Sequence, residues 1–99
     1  MKSKTPYIVM SLDCSTAHIS KRDNSLLKKN DDTDPVTTYK EEYGYDIYIH
    51  EAAMDSAILR YGYSKEFVKL LKIARKNNCQ YLKLDRDGTE YEDLPRFDW

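Results

Sequence analysis

Between Lys65 and Asn77, the residues Phe67, Leu70, Leu71 and Ala74 fall at i, i+3, i+4 and i+7, one stripe of a 3.6-residue helix. This stripe constrains the fold more than any other feature, because an amphipathic helix needs a second apolar surface to cover it. Ser64 stands at the N-cap, where a hydroxyl accepts from a free first-turn amide. Lys72, Arg75 and Lys76 crowd the last turns, the negative end of the helix dipole, and Asn77-Asn78 offers a left-handed stop.

Strands supply the covering surface. Tyr45, Ile47 and Ile49 alternate with Asp46, Tyr48 and His50, and Gln80 to Asp85 alternates in the same way. Val36 to Glu42 reads as a partner strand or extended lead-in, and Tyr43-Gly44 as a turn or a bulge in one bent strand. Pro6 to Leu12 is apolar and partly β-branched, which predicts a well-buried first strand. Ser20 with Asp23 three residues on forms a capping box for a helix through Lys29, with Leu26 and Leu27 as its buried contact. Asn30 to Pro35 is a loop, and Glu51 to Arg60 predicts a short helix on Ala53, Ala57 and Ile58. Arg86-Asp87-Gly88 predicts a hairpin turn with glycine at positive φ, after which Thr89 to Glu92 returns as a short strand. The chain closes on Phe97 and Trp99, which predicts a tail packed back on the body. The expected fold is α+β: a small single domain over 1–99, a mixed β-sheet with helices mainly on one face, in the order β-α-β(β)-α-α-β-β.

Charge is segregated along the chain. Residues 31–55 hold eight acids against Lys40, residues 60–76 six bases against Glu66, and residues 85–98 six acids against Arg86 and Arg96, yet the net charge is −1. Such blocks either pair with one another or form a dipolar surface that steers a charged partner. The longest apolar run, Tyr7 to Met10, is too short to span a bilayer, and no signal-peptide stretch is present, so a cytoplasmic protein with no membrane partner is expected. Cys14 and Cys79 are far apart and outside any C-x-x-C pair, the pattern of reduced thiols.

Asp13-Cys14-Ser15-Thr16-Ala17-His18 contains nucleophile, base and orienter by residue type. A triad depends on geometry, however, and adjacent residues rarely converge on one point, so a polar turn whose hydroxyls cap amides is the stronger reading. Asp85 to Glu90 has calcium-loop composition but predicted strands flank it, and His18 and His50 with Asp85 and Asp87 lack metal-ligand spacing. No phosphate-cradling glycine motif occurs. No catalytic residue, metal or cofactor is therefore expected. The nine tyrosines invite base stacking, but Tyr39, Tyr43, Tyr45 and Tyr48 lie among acids that repel a phosphate backbone. Direct nucleic-acid binding is therefore not the expectation, whereas protein–protein contact through tyrosine is.

Ser15-Thr16-Ala17-His18, Leu84-Asp85-Arg86-Asp87-Gly88 and Leu94-Pro95-Arg96-Phe97-Asp98-Trp99 together resemble a family of short, uncharacterised bacterial proteins carried on plasmids, prophages and integrative elements. The chain departs from that pattern after Gly44, where the family would carry Trp, and in its acidic insert from Asn30 to Pro35. The resemblance implies a mobile-element setting and no carried-over catalytic residue. Size, composition and acidic patches are similar to small anti-CRISPR proteins. The functional expectation is an anti-defence protein that binds a Cas9-type nuclease or its guide RNA complex and blocks guide loading or DNA binding. Asp31, Asp32, Asp34, Glu41, Glu42, Tyr43, Glu90, Glu92 and Asp93 are the expected contacts, since carboxylates can replace phosphates against Lys and Arg. The alternatives are a small enzyme or ligand-binding protein using His18 near the Asp85–Asp87 turn, or a toxin–antitoxin accessory.

Overall fold

The period-two alternation sorts side chains to two faces of one sheet. The structure, a computed structural model, describes residues 8–99. Its strands are β1 (Ser11–Ser15), β2 (Thr38–Glu41), β3 (Gly44–Tyr48) and β4 (Tyr81–Asp85). They form a four-stranded mixed sheet in the order β1-β4-β3-β2, with β1 parallel to β4 and the other pairs antiparallel. The register aligns Leu12, Leu82 and Ile47 in one row and Cys14, Leu84 and Tyr45 in the next. All face the same side, where α1 (Lys21–Lys29), α2 (Asp55–Tyr61) and α3 (Lys65–Lys76) cover them. Phe67, Leu70, Leu71 and Ala74 are buried, so the α3 stripe meets the sheet as its spacing predicts.

The helix ends are fixed by side chains. Ser20 and Asp23 form the full capping box of α1, and Asn30 closes it in the left-handed region at φ 41°. Asp23 does more than its sequence position suggests. Fully buried, its carboxylate also accepts from Ser64 N at 2.8 Å and Ser64 Oγ at 2.6 Å, while Ser64 Oγ accepts from Phe67 N at 3.1 Å. One carboxylate thereby joins the starts of α1 and α3, and its burial is matched by hydrogen bonds from Ser20 N, Ser64 N and Ser64 Oγ. Asn78 stops α3 at φ 61°, as the Asn77-Asn78 pair predicts. Arg75 ties α3 to α2 by a half-buried pair with Asp55 at 3.0 Å and a bond from Nε to His50 O.

Three sequence expectations are corrected. The first strand starts at Ser11, and Ile8, Val9 and Met10 are 74%, 42% and 51% exposed. Pro6 and Tyr7 lie outside the described residues. Because only one side of β1 is covered, burial follows the alternating Leu12 and Cys14 and passes over the continuous apolar run. The second correction concerns Thr89 to Glu92, which form no strand. Both edges of β4 are already taken, by β1 and β3, so a returning strand has no free edge. The turn closes through Gly88 N to Asp85 O, and the chain then crosses over β1, with Ser15 N donating to Thr89 O at 2.8 Å. Gly88 is required there by proximity rather than by φ. A Cβ at this position would lie 2.4 Å from the Cys14 carbonyl oxygen, and Gly62 is the glycine at positive φ.

Candidate functional site

The segment with the most chemistry is the most fully engaged. Cys14 points into the core, and burial, with the Asp13 charge second, pushes its thiol up to about 12, so the reactive thiolate is suppressed. Ser15 Oγ accepts from Ala17 N and caps the 3-10 turn Thr16–His18. Asp13 accepts from Thr89 N at 3.1 Å and Thr89 Oγ1 at 2.6 Å. His18 is buried, with Nδ1 2.7 Å from Pro95 O and Nε2 2.8 Å from Tyr91 N. A carbonyl only accepts and a backbone amide only donates, so the tautomer is fixed: Nδ1 carries the proton and Nε2 accepts. Neither ring nitrogen is left for a substrate.

The same segment holds the C-terminal tail. Ala17 O accepts from Phe97 N at 2.7 Å, and Ile19 O accepts from Trp99 Nε1 at 2.8 Å. The tail therefore packs back on the body as expected. The segments around His18, Gly88 and Pro95, distant in sequence, meet here as one piece of architecture. The Asp85–Asp87 turn is closed on itself, with Asp87 N donating to Asp85 Oδ1 at 2.8 Å. Among the described residues, no group of three His, Cys, Asp or Glu side chains is placed to hold a metal ion.

The eight acids and one tyrosine expected to contact a partner are not brought to one place. Asp31 and Asp34 fasten the loop before β2: Asp31 accepts from Thr33 Oγ1, Tyr61 OH and Thr33 N, which hold its carboxyl at about 2, and Asp34 accepts from Val36 N and Tyr63 OH. Burial, with the Asp34 charge and hydrogen bond behind it, pushes the Tyr63 hydroxyl well up. Asp32 is exposed beside them. Glu41, Glu42 and Tyr43 gather at the β2–β3 tip, where the Arg86 guanidinium lies 4.2 Å over the Tyr43 ring. Glu90 pairs with Arg96 at 2.8 Å, and exposed Glu92 and Asp93 follow it beyond β1. Only the tip group stands next to the open sheet.

That open side is the feature that residue-by-residue reading did not assemble. The register lines up Asp13, Lys83, Asp46 and Tyr39 across all four strands, with Ser11, Tyr81 and Tyr48 in the neighbouring row. Tyr81 packs edge-on to Tyr48 at 5.8 Å and to Tyr39 at 6.5 Å, and Tyr48 meets His50 at 5.2 Å. Tyr39 and Tyr48 remain 52% and 43% exposed, so the cluster forms an uncovered aromatic band. Beside it the Asp46 carboxyl raises the Glu41 carboxyl above its usual range, with the Lys83 ammonium opposing the shift. Two carboxylates in contact at a surface favour an incoming cation. The alternation at Tyr45–His50 and Gln80–Asp85 already assigns these residues outward; the missing information was the strand order that joins them.

Fold and surface define a small α+β protein with a four-stranded mixed sheet whose helix-free face is aromatic and acidic. Residues 11–99 match a family of unknown function, the DUF5983 C-terminal domain, and the chain belongs to that family. No curated protein and no solved structure matches it. No helix among the described residues is long and apolar enough to cross a membrane.

Proposed function

We propose that the chain is a binding protein that docks its open sheet face on a basic protein surface. The observation that carries this reading is the uncovered band of Tyr39, Tyr48 and Tyr81 beside the paired carboxylates of Glu41 and Asp46. Tyrosines give rigid contact area with a polar tip, and arginine recognises both an aromatic face and a carboxylate pair. Within the mobile-element setting that the resemblance implies, the nucleic-acid groove of a Cas9-type nuclease is the partner of this chemistry, and anti-CRISPR inhibition the activity. The reading that uses His18 as a catalytic or ligand-binding imidazole gains no support from the geometry, because both ring nitrogens are occupied.

The test is nuclease binding and DNA cleavage with the wild-type chain and a Tyr48→Ser/Glu41→Lys variant, with and without guide RNA loaded first. Inhibition by the wild type, weakened in the variant and by rising salt, is expected, since exposed charge contacts are screened beyond about 8–10 Å near physiological ionic strength. Absence of wild-type binding, or equal inhibition by the variant, removes the proposal.

A further inference from the structure

On the helix side of the same sheet end lies an open groove of roughly 450 Å³, between α1, the β2–β3 tip and the C-terminal tail. Lys28, Lys40, Tyr43, Arg86 and Trp99 line it. The cross-strand pairing of Lys40 with Tyr45 puts Lys40 on the covered side, opposite to Tyr39 and Asp46. The volume falls in the range of small-ligand sites, about 300–1,000 Å³.

The lining offers two kinds of recognition. Trp99 is held by its Nε1 bond to Ile19 O yet stays 49% exposed, so the indole is a fixed shelf with free ring surface. Arg86 is positioned by its stacking on Tyr43 and by Arg86 N donating to Tyr43 O at 3.0 Å. Among the described residues its one ionic contact is a loose 3.9 Å approach to exposed Asp87, which leaves most of the guanidinium fork available. Lys28 and Lys40 have no ion-pair partner among the described residues. Glu41 and Glu42 also line the groove, although the register puts Glu41 on the Asp46 side of the sheet. Glu41, Glu42 and, in the adjoining hollow, Glu90 and Asp98 stand near these cations, but among the described residues none of the four is ion-paired to Lys28, Lys40 or Arg86.

We infer that this groove binds a nucleoside monophosphate unit, its base stacked on Trp99 and its phosphate held between Arg86, Lys28 and Lys40. An aromatic shelf beside a guanidinium fork and two ammonium groups matches a planar ring carrying an anion. Free nucleotide and one unit of a single strand share this chemistry. The site meets the sheet face at Glu41, but its ligand-binding residues are different ones, and its test involves no protein partner.

Trp99 is the single tryptophan of the chain, so its emission reports the groove directly. The full chain is titrated with AMP, adenosine, inorganic phosphate and pentathymidylate, following emission and, independently, heat of binding. AMP or pentathymidylate is expected to quench Trp99 saturably, and whichever binds tighter identifies the source. Adenosine should bind weaker by about tenfold, and phosphate should compete without quenching. Arg86→Gln and Lys28→Gln should each weaken AMP or pentathymidylate by about tenfold, one charge-assisted contact apiece, with the unfolding midpoint unchanged. No saturable quenching by either ligand at millimolar concentration overturns the inference. So does equal affinity for adenosine and AMP, or full affinity in both variants.

Discussion

The Asp13–Ile19 segment and the open face of the sheet both carry a carboxylate, hydroxyls and an imidazole, and they reach opposite ends. In the first, Asp13 and His18 accept from Thr89 and Tyr91 of a distant segment, Ser15 accepts from Ala17 N within its own turn, and the thiol of Cys14 is buried. In the second, Tyr39 and Tyr48 pack on Tyr81, Glu41 stands near Asp46, and the row faces outward. A buried polar group costs stability unless it is hydrogen-bonded, so a polar string placed under a tail becomes architecture. A polar and aromatic row on an uncovered sheet has no such obligation and stays available to a partner. The two regions share chemistry-bearing residue types and differ in exposure.

Substitutions can break this comparison. Leu70→Ala in the α3 stripe sets the upper scale, an expected loss of about 2–5 kcal/mol in urea unfolding. His18→Ala should approach it, at about 2–4 kcal/mol, because it leaves a cavity and strips partners from Pro95 O and Tyr91 N. An unchanged midpoint for His18→Ala would free the imidazole for another role. Gly88→Ala should cost about 1–3 kcal/mol, since its Cβ has to displace the Cys14 backbone.

Cys14 sharpens the same contrast through its titration. Its thiol is raised from 9.0 to about 12 in the folded chain, so folding favours the protonated form. The sign follows: this contribution is full below about 9 and is lost as pH rises from there toward 12. Native-state alkylation near neutral pH should modify half-buried Cys79 and spare Cys14, and prompt labelling of Cys14 would show that the segment opens. The smallest stability effect belongs to the open face. Tyr48→Ser/Glu41→Lys should shift unfolding by less than about 1 kcal/mol, the range of cross-strand pairs.

Much of the fold was legible in local pattern. The capping box at Ser20, the Ser64 cap, the α3 stripe and the Asn78 stop act within a few residues, and each lies where spacing puts it. Strand faces were legible for the same reason. What local pattern lacks is neighbour identity. The absent return strand after Gly88 follows from β4 being flanked on both edges, and the second role of Asp23 from a serine 41 residues away. The acids before β2 and those after Gly88 look alike in sequence, yet Asp31 and Asp34 fasten a loop while Glu92 and Asp93 stand exposed beyond β1. The aromatic band combines three strands, so no single stretch of sequence announces it.

The most direct test pairs two variants in two assays: His18→Ala and Tyr48→Ser/Glu41→Lys, each measured for unfolding midpoint and for nuclease binding at a temperature where both are folded. The account predicts a crossed result. His18→Ala loses stability and keeps binding, while Tyr48→Ser/Glu41→Lys keeps its midpoint and loses binding. The reverse pattern, with binding abolished by folded His18→Ala and untouched by the face variant, would contradict it and move function to the Asp13–Ile19 segment.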